Sequence, residues 1–326
     1  MMIKLAVVVP CFNEEEVLPE LVKRMSALFT DLISKGKISE ESFVLLVDDG
    51  SIDDTWNLIT ELHKQNKVFK GLKLARNVGH QNALISGLHF ATNKCDACIS
   101  VDADLQDDLN VFSEMIDGLE SSFDIVYGVR SSRKKDTIFK RSTARFFYRF
   151  MLFMGVRTIY NHADFRLLSN RALRELERFK EKNLFIRGIV PLIGFKSEKV
   201  YYIREERFAG KTKYPFKKML NFALDGITSF SVKPLRIIFL IGCFILLASI
   251  VSFAYIMISY SGGGTITGWA SNMISIWFLG SLTIISLGII GEYIGKIYTE
   301  VKDRPLYNVE KYLFDEEDTS EDANDK

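Results

Sequence analysis

The chain has 326 residues, 48% of them hydrophobic, and a formal net charge of +1. That length accommodates one large domain or two modest ones, and so even a charge balance argues against a nucleic-acid partner. The balance conceals a tail, Asp315–Lys326 (DEEDTSEDANDK), with seven acids against one lysine; lacking aromatic and branched apolar residues, it reads as a disordered acidic appendage.

Lys4–Pro10 (KLAVVVP) reads as a short strand ended by proline, and Val17, Leu21, Met25 and Leu28 follow at helical spacing. The opening MMIKLAVVVPCFNEEE turns acidic where a cleavage site needs small residues, so no cleavable signal is expected. Ser42–Ser51 (SFVLLVDDGS) is a second strand, followed by a helix over DDTWNLITELHKQ. FKGLKLA is a third strand, GHQNALISGLHFAT a third helix and ACISVDAD a fourth strand. Strands apolar throughout, alternating with helices, predict a mostly parallel α/β sheet covered on both faces. Ligands of such sheets lie beyond the carboxyl ends of the strands, which here read PCFNEE, DDGS, ARNVGH and DADLQDD.

Neither GxGxxG nor GxxxxGK[ST] occurs in these loops, so dinucleotide and P-loop phosphate binding are unsupported. The fourth loop holds Asp102, Asp104, Asp107 and Asp108 within seven positions. Crowded carboxylates repel unless a cation relieves them, and a D-x-D at a strand end suits Mg2+ or Mn2+ shared with ligand phosphates. Asp107 and Asp108 read instead as the acidic start of the next helix. The histidines at 63, 80, 89 and 162 show no metal spacing and are expected to be structural, and Cys95 and Cys98, a lone CxxC, read as buried thiols.

No charge occurs between Arg236 and Glu292. The interval divides at SYSGGGTITG into two apolar segments, about 237–258 and 269–291, each long enough to cross a hydrocarbon core that needs ~20 helical residues. Lys217, Lys218, Lys233 and Arg236 precede the pair and Lys296, Lys302 and Arg304 follow it, predicting both ends, and the N-terminal domain, in the cytosol. Thr137–Gly155 and Tyr214–Phe230 mix basic residues with Phe, Met and Tyr, as helices lying on a bilayer do. Small residues in the two spans leave a homo-oligomer open.

The ordered set VVVPCFNEEEVLPEL, VDDGSIDDT, ARNVGHQNALISGL and DADLQDD resembles the family 2 glycosyltransferases, which have the GT-A fold and use nucleotide-sugar donors. With GVRSSRKKD, ADFRLLSNRAL, NLFIRG, RFAGKTKYPFKKMLNFALDGITSFSVKPLR and LGIIGEYIGKIYTEVKDRPLY, the pattern is similar to the polyprenyl-phosphate glycosyltransferases. These are the bactoprenol glucosyltransferase group related to dolichol-phosphate mannose synthases, and the likeness spans about residues 4–312. It implies a GT-A domain over 1–213, an interfacial helix over 214–234, two transmembrane helices within 235–295 and a cytoplasmic tail over 296–326, disordered from about 315. It also implies residence in a bacterial cytoplasmic membrane.

The resemblance places Pro10, Phe12, Asn13, Glu14, Asp48 and Asp49 around the nucleotide, and Asp102 and Asp104 at the metal and donor diphosphate with Gln106 nearby. Cys11 departs from the small or β-branched residue usual there. Asp164, in NHADFRLL, becomes the catalytic carboxylate, a base or an orienting group, with Asp104 beside it; its alternative is a helix cap or a partner of Arg166. Arg130, Arg141, Arg207, Lys211 and Lys213 become contacts of the acceptor phosphate. Transfer of a hexose, with glucose favoured over N-acetylglucosamine or mannose, from UDP to undecaprenyl phosphate would give an inverted, β-linked lipid sugar for envelope glycans such as lipopolysaccharide or teichoic acid. A processive synthase of the same fold would need a QxxRW signature, which is absent. A non-catalytic lipid-binding protein is the rival from another class, opposed by the retained Asp48, Asp102, Asp104 and Asp164.

Overall fold

The computed structural model describes residues 2–131, 154, 162–182, 185–204, 228, 231–261 and 268–314. They fall into two compact units, one built on the N-terminal part with the chain from Arg304 onward, the other holding the charge-free interval.

The first unit is an eight-stranded sheet. In chain order it contains β1 (Leu5–Cys11), α1 (Leu18–Ser34), β2 (Phe43–Asp48), α2 (Thr55–Gln65), β3 (Phe69–Leu74), α3 (His80–Ala91), β4 (Ala97–Ser100), α4 (Phe112–Glu120), β5 (Ile125–Arg130), β6 (His162–Ser169), α5 (Asn170–Glu177), α6 (Ile186–Ile189), β7 (Ser197–Tyr202) and β8 (Val309–Leu313). The strand order is β7-β5-β6-β4-β1-β2-β3-β8. The β4-β1-β2-β3 stretch is parallel, as the alternating pattern predicts. Strands β1, β2 and β4 are apolar because helices cover both faces, and every residue in them is buried, whereas β3 carries the half-buried Lys70 and Lys73.

Two glycines are dictated by close approach. Gly50 has φ +65°, and a Cβ there would meet Arg76 C and Asn77 N at 2.6 Å, so the DDGS turn can touch the ARNVGH loop only without a side chain. Gly87 lets α3 lie on the sheet: a Cβ would run into Val8 and come within 2.8 Å of Val47 Cγ2. Gly87→Ala is expected to cost about 1–3 kcal/mol by overpacking, read as a lowered thermal midpoint of the metal-free chain.

Two features lie beyond the reach of the sequence pattern. Strand β6 runs antiparallel between β4 and β5, with Ser100 opposite Arg166; Asp164, two residues before Arg166, thereby comes to the end of β4 where Asp102 lies. Strand β8, from the stretch expected to be cytoplasmic tail, pairs antiparallel with β3. Phe314 follows it and packs 4.6 Å from Phe90, with Lys70 and Lys94 over its ring.

The second unit contains α7 (Lys233–Ser261) and α8 (Trp269–Val301), of 29 and 33 residues. Among the described residues, Phe278–Val301 is long and apolar enough to cross a membrane, and none of it is buried. Helix α8 continues past the charge-free interval through Glu292 and Lys296. Tyr293 on α8 donates its hydroxyl proton to Ser231 O at 2.5 Å, tying that helix to the residues just before α7.

Candidate active site

The carboxyl ends of β1, β2 and β4, with the loop after β3, form one polar edge. Pro10 is buried inside β1, while Phe12 beyond it is 44% exposed. Asn13 takes a left-handed φ of +54°, a conformation that persists only where surroundings hold it. Here the holding is mutual: Asn13 N–H donates to Ser51 Oγ at 3.0 Å, and Ile52 N–H donates to Asn13 Oδ1 at 3.0 Å. Glu14 N–H donates to Thr55 Oγ1 at 2.9 Å. The first two loops are therefore stitched together.

Asp48 and Asp49 have different surroundings. Asp49 accepts from Val78 N–H at 2.7 Å and Gly79 N–H at 3.0 Å, and so clamps the loop before α3. Asp48 is fully buried and accepts from Ser51 N–H at 3.1 Å through Oδ1; among the described residues its Oδ2 has no partner. Burial raises the pKa of both. Asp48 thus keeps one buried oxygen without a partner among the described residues, whereas both Asp49 oxygens hold backbone.

Around the end of β4, Asp102 and Asp164 flank His80. His80 Nε2 lies 3.4 Å from Asp102 Oδ1 and 3.7 Å from Asp164 Oδ2. Asp164 also receives a fork from Arg187 on α6, at 3.2 Å to Oδ1 and 3.0 Å to Oδ2, and a 2.5 Å bond from Arg166. Gln81 at the start of α3 accepts from Ile186 N–H at 3.0 Å, which brings α6 to this place. Burial would raise the Asp164 pKa, but Arg187, His80 and Arg166 outweigh it and hold the carboxyl well below its usual range. Asp102 moves the other way: desolvation, with Asp164 and Asp104 adding to it, prevails over the relief from His80.

Desolvation also opposes the charge on His80, yet the hydrogen bond to Asp164 and the fields of Asp102 and Asp164 carry its pKa up to about 9. A raised pKa stabilises the fold fully below the unfolded value of 6.5 and loses that contribution as pH rises through 9. His80→Gln should therefore lower the thermal midpoint of the metal-free chain below pH 6.5, with the deficit shrinking as pH rises and gone above about 9. With 45% of the side chain exposed, the effect is reduced by solvent screening. A deficit constant with pH contradicts the pairing.

The loop beyond Asp102 corrects one expectation. Asp108 does start the helical turn before α4, accepting from Asn110 N–H at 3.0 Å. Asp107 does not serve a helix terminus: it is buried, accepts from the Tyr202 hydroxyl and lies 3.9 Å from Arg130. Burial, then the Asp102 charge, moves its pKa up to about 6 against the pull of Tyr202 and Arg130. Asp104 accepts from Gln106 N–H at 3.2 Å, and Gln106 Oε1 accepts from Arg204.

The structure thus gathers Asp102, Asp104, Gln106, Asp164 and Arg130 near one another, and the nucleotide-loop residues along the same edge. Arg141, Arg207, Lys211 and Lys213, and the two interfacial segments, lie outside the described residues apart from Met154 and Thr228. Sequence reasoning missed His80, Arg187, Tyr202 and Arg204. The 164/166 alternation in DFR puts two side chains on one face of β6, but no spacing in the sequence reveals the approach of Arg187 or His80.

Among the described residues no group of three or more His, Cys, Asp or Glu could hold a metal ion unaided. The fit of a divalent ion is nonetheless good. Asp102 and Asp104 would supply hard oxygen ligands, the crowding on Asp102 is of the sign a cation relieves, and such ions complete their shell with phosphates and water.

The mostly parallel sheet, with its polar carboxyl edge, is GT-A-like. The model "Glycosyl transferase family 2" matches residues 6–177 and "GtrB C-terminal hairpin" matches 233–297. The chain belongs to glycosyl transferase family 2. It is 55% identical to an uncharacterized glycosyltransferase, YkoT, of Bacillus subtilis, over 96% of this chain and 93% of that one. It is 38% identical to the bactoprenol glucosyl transferase of Shigella phage SfII, over 94% and 98%. The mannosyltransferase PcManGT of Pyrobaculum calidifontis, solved with GDP-Man and Mn2+, has the same fold at a TM-score of 0.50 and 14% identity, over 93% of this chain and 87% of that one. The hairpin match and the apolar stretch of α8 make this a membrane-associated glycosyltransferase.

Proposed function

We propose that the chain moves glucose from UDP-glucose to a polyprenyl phosphate at the bilayer surface, with inversion at the anomeric carbon. The observation that carries this reading is continuity: 38% identity to bactoprenol glucosyl transferases runs through nearly the whole chain, sheet and hairpin alike.

Asp48 Oδ2 offers an acceptor to the uridine, with Pro10, Phe12, Asn13 and Glu14 shaping that side and Asp49 holding the loop behind it. Asp102 and Asp104 would hold Mg2+ or Mn2+, which when bound supplies Lewis-acid relief of the charge developing on the departing diphosphate. Gln106 lies beside them. The acceptor, a phosphate monoester with second pKa near ~6, is mostly dianionic at neutral pH and brings its own nucleophilic oxygen. Arg130, with Arg141, Arg207, Lys211 and Lys213, neutralises it as it approaches another polyanion.

Asp164 then works by orientation. A carboxylate whose pKa is held far below neutrality is a poor proton acceptor, so its part is to fix Arg187, Arg166 and His80 around the reacting groups. No second carboxylate is assigned as a covalent nucleophile, which favours single displacement and a β-linked product. Helices α7 and α8 would both span the membrane with their outer ends cytoplasmic, given the basic residues on either side.

Donor choice tests the reading. Membranes holding the full chain, supplied with undecaprenyl phosphate and one nucleotide sugar at a time, should form a lipid-linked hexose from UDP-glucose. Preference for UDP-N-acetylglucosamine or GDP-mannose would replace glucose in the assignment. A growing polymer would move the chain to the synthases.

A further inference from the structure

The end of β7 reaches into the loop that carries the two proposed metal ligands. Tyr202, its last residue, lies in parallel register with Arg130 on β5. Its carbonyl is gripped twice by Ser131, from the backbone N–H at 2.8 Å and from Oγ at 3.0 Å. Its ring is buried and stands edge-on to Phe165, centroids 5.3 Å apart, on the strand that carries Asp164. With backbone and ring both fixed, the hydroxyl has little freedom. It accepts from Arg130 Nε–H at 3.3 Å and donates to Asp107.

Two residues on, Arg204 donates to Gln106 Oε1. Just before these contacts the loop makes a turn that an L residue resists: Leu105 has φ +55° and is itself buried. Asp104 and Gln106 sit on either side of that turn, bonded to each other through the Gln106 N–H. Nothing in the loop's local sequence favours a left-handed leucine, so the conformation must be enforced by neighbours. Asp107 is 4% exposed, and among the described residues its Oδ2 has no partner. A carboxylate so placed stays put only while its other oxygen is held.

We infer that Tyr202 and Arg204 are positioning residues that clamp the Leu105–Asp107 turn and thereby set Asp102 and Asp104 in the geometry that binds a divalent cation with a nucleoside diphosphate. Because Tyr202 also holds Arg130, a proposed contact of the acceptor phosphate, the same hydroxyl links the donor loop to the acceptor side. This clamp rests on the nucleotide-sugar reading above and deepens it.

Tyr202→Phe deletes one oxygen and leaves the ring against Phe165; Arg204→Met removes an exposed guanidinium that donates to Gln106 Oε1. Binding of UDP with Mn2+ to the purified full chain, measured by calorimetry, reads the effect without turnover. Each variant should weaken UDP–Mn2+ binding about 5- to 30-fold, the value of one to two hydrogen bonds to charged or buried groups. UDP binding in chelator should change less than twofold, and the thermal midpoint of the Arg204→Met chain should match wild type. In transfer assays the KM for donor should rise in proportion, while kcat at saturating donor and metal recovers. Wild-type affinity in both variants overturns the clamp, and so does equal weakening with and without Mn2+, which would mean general loosening. Failure of the wild-type chain itself to bind UDP with Mn2+ would instead overturn the functional reading.

Discussion

Asp164→Ala should lower kcat by about 10²–10³, the scale for losing one preorganised electrostatic group, and destabilise the metal-free chain by roughly 3–5 kcal/mol. The second figure follows from Arg166, whose side chain is 1% exposed: removing its partner leaves a buried charge uncompensated. Asp164→Asn separates the roles the carboxylate could play. It keeps one acceptor oxygen for Arg166 and Arg187 and puts an NH2 donor in place of the other, along with the lost charge, so an orienting group should leave measurable transfer and a pH profile of kcat parallel to wild type between pH 6.5 and 8.5. A general base would instead abolish transfer in the Asn chain. The low pKa of Asp164, set by Arg187, His80 and Arg166 against burial, favours the first outcome. Sign and stability agree: a depressed pKa contributes stability above the ordinary aspartate range, lost as pH falls below about 4.

Asp102→Ala with Asp104→Ala should remove at least about 10³ of the transfer rate and make UDP binding indifferent to Mn2+ or Mg2+. A structural role for these residues predicts unfolding; the proposed role predicts the reverse for Asp102. Its carboxyl is desolvated and crowded by Asp164 and Asp104, so charge there works against the metal-free fold at neutral pH. Asp102→Asn is therefore expected to hold or raise the metal-free thermal midpoint while abolishing transfer, the trade expected where function keeps an unfavourable charge in place. A lowered midpoint would assign Asp102 to the fold.

What the sequence made visible and what it hid divide along a physical line. Strands β1, β2 and β4 were legible because burial on both faces leaves continuous apolar runs, closed by polar residues at their carboxyl ends. The acidic loop stood out because four carboxylates in seven positions are costly without a cation. Asp107 was misread because its neighbours in sequence suggest a helix start, while its partner, Tyr202, is 95 residues away. His80 was set aside for the same reason: only the antiparallel return of β6 puts Asp164 beside it. Strand β8 was missed because VEKYL adjoins a strongly acidic tail, and it is its pairing with β3 that makes it a strand.

Everything proposed for the β1–β4 edge depends on direct transfer of one glucose from a nucleotide to a lipid phosphate there. The most direct test gives purified full chain UDP-glucose, undecaprenyl phosphate and Mg2+, and determines the anomeric configuration of the lipid product by NMR. A single β-linked glucose on the phosphate, absent in chelator, is the predicted result. An α-linked product, free glucose with no lipid conjugate, or undiminished transfer in chelator would contradict it.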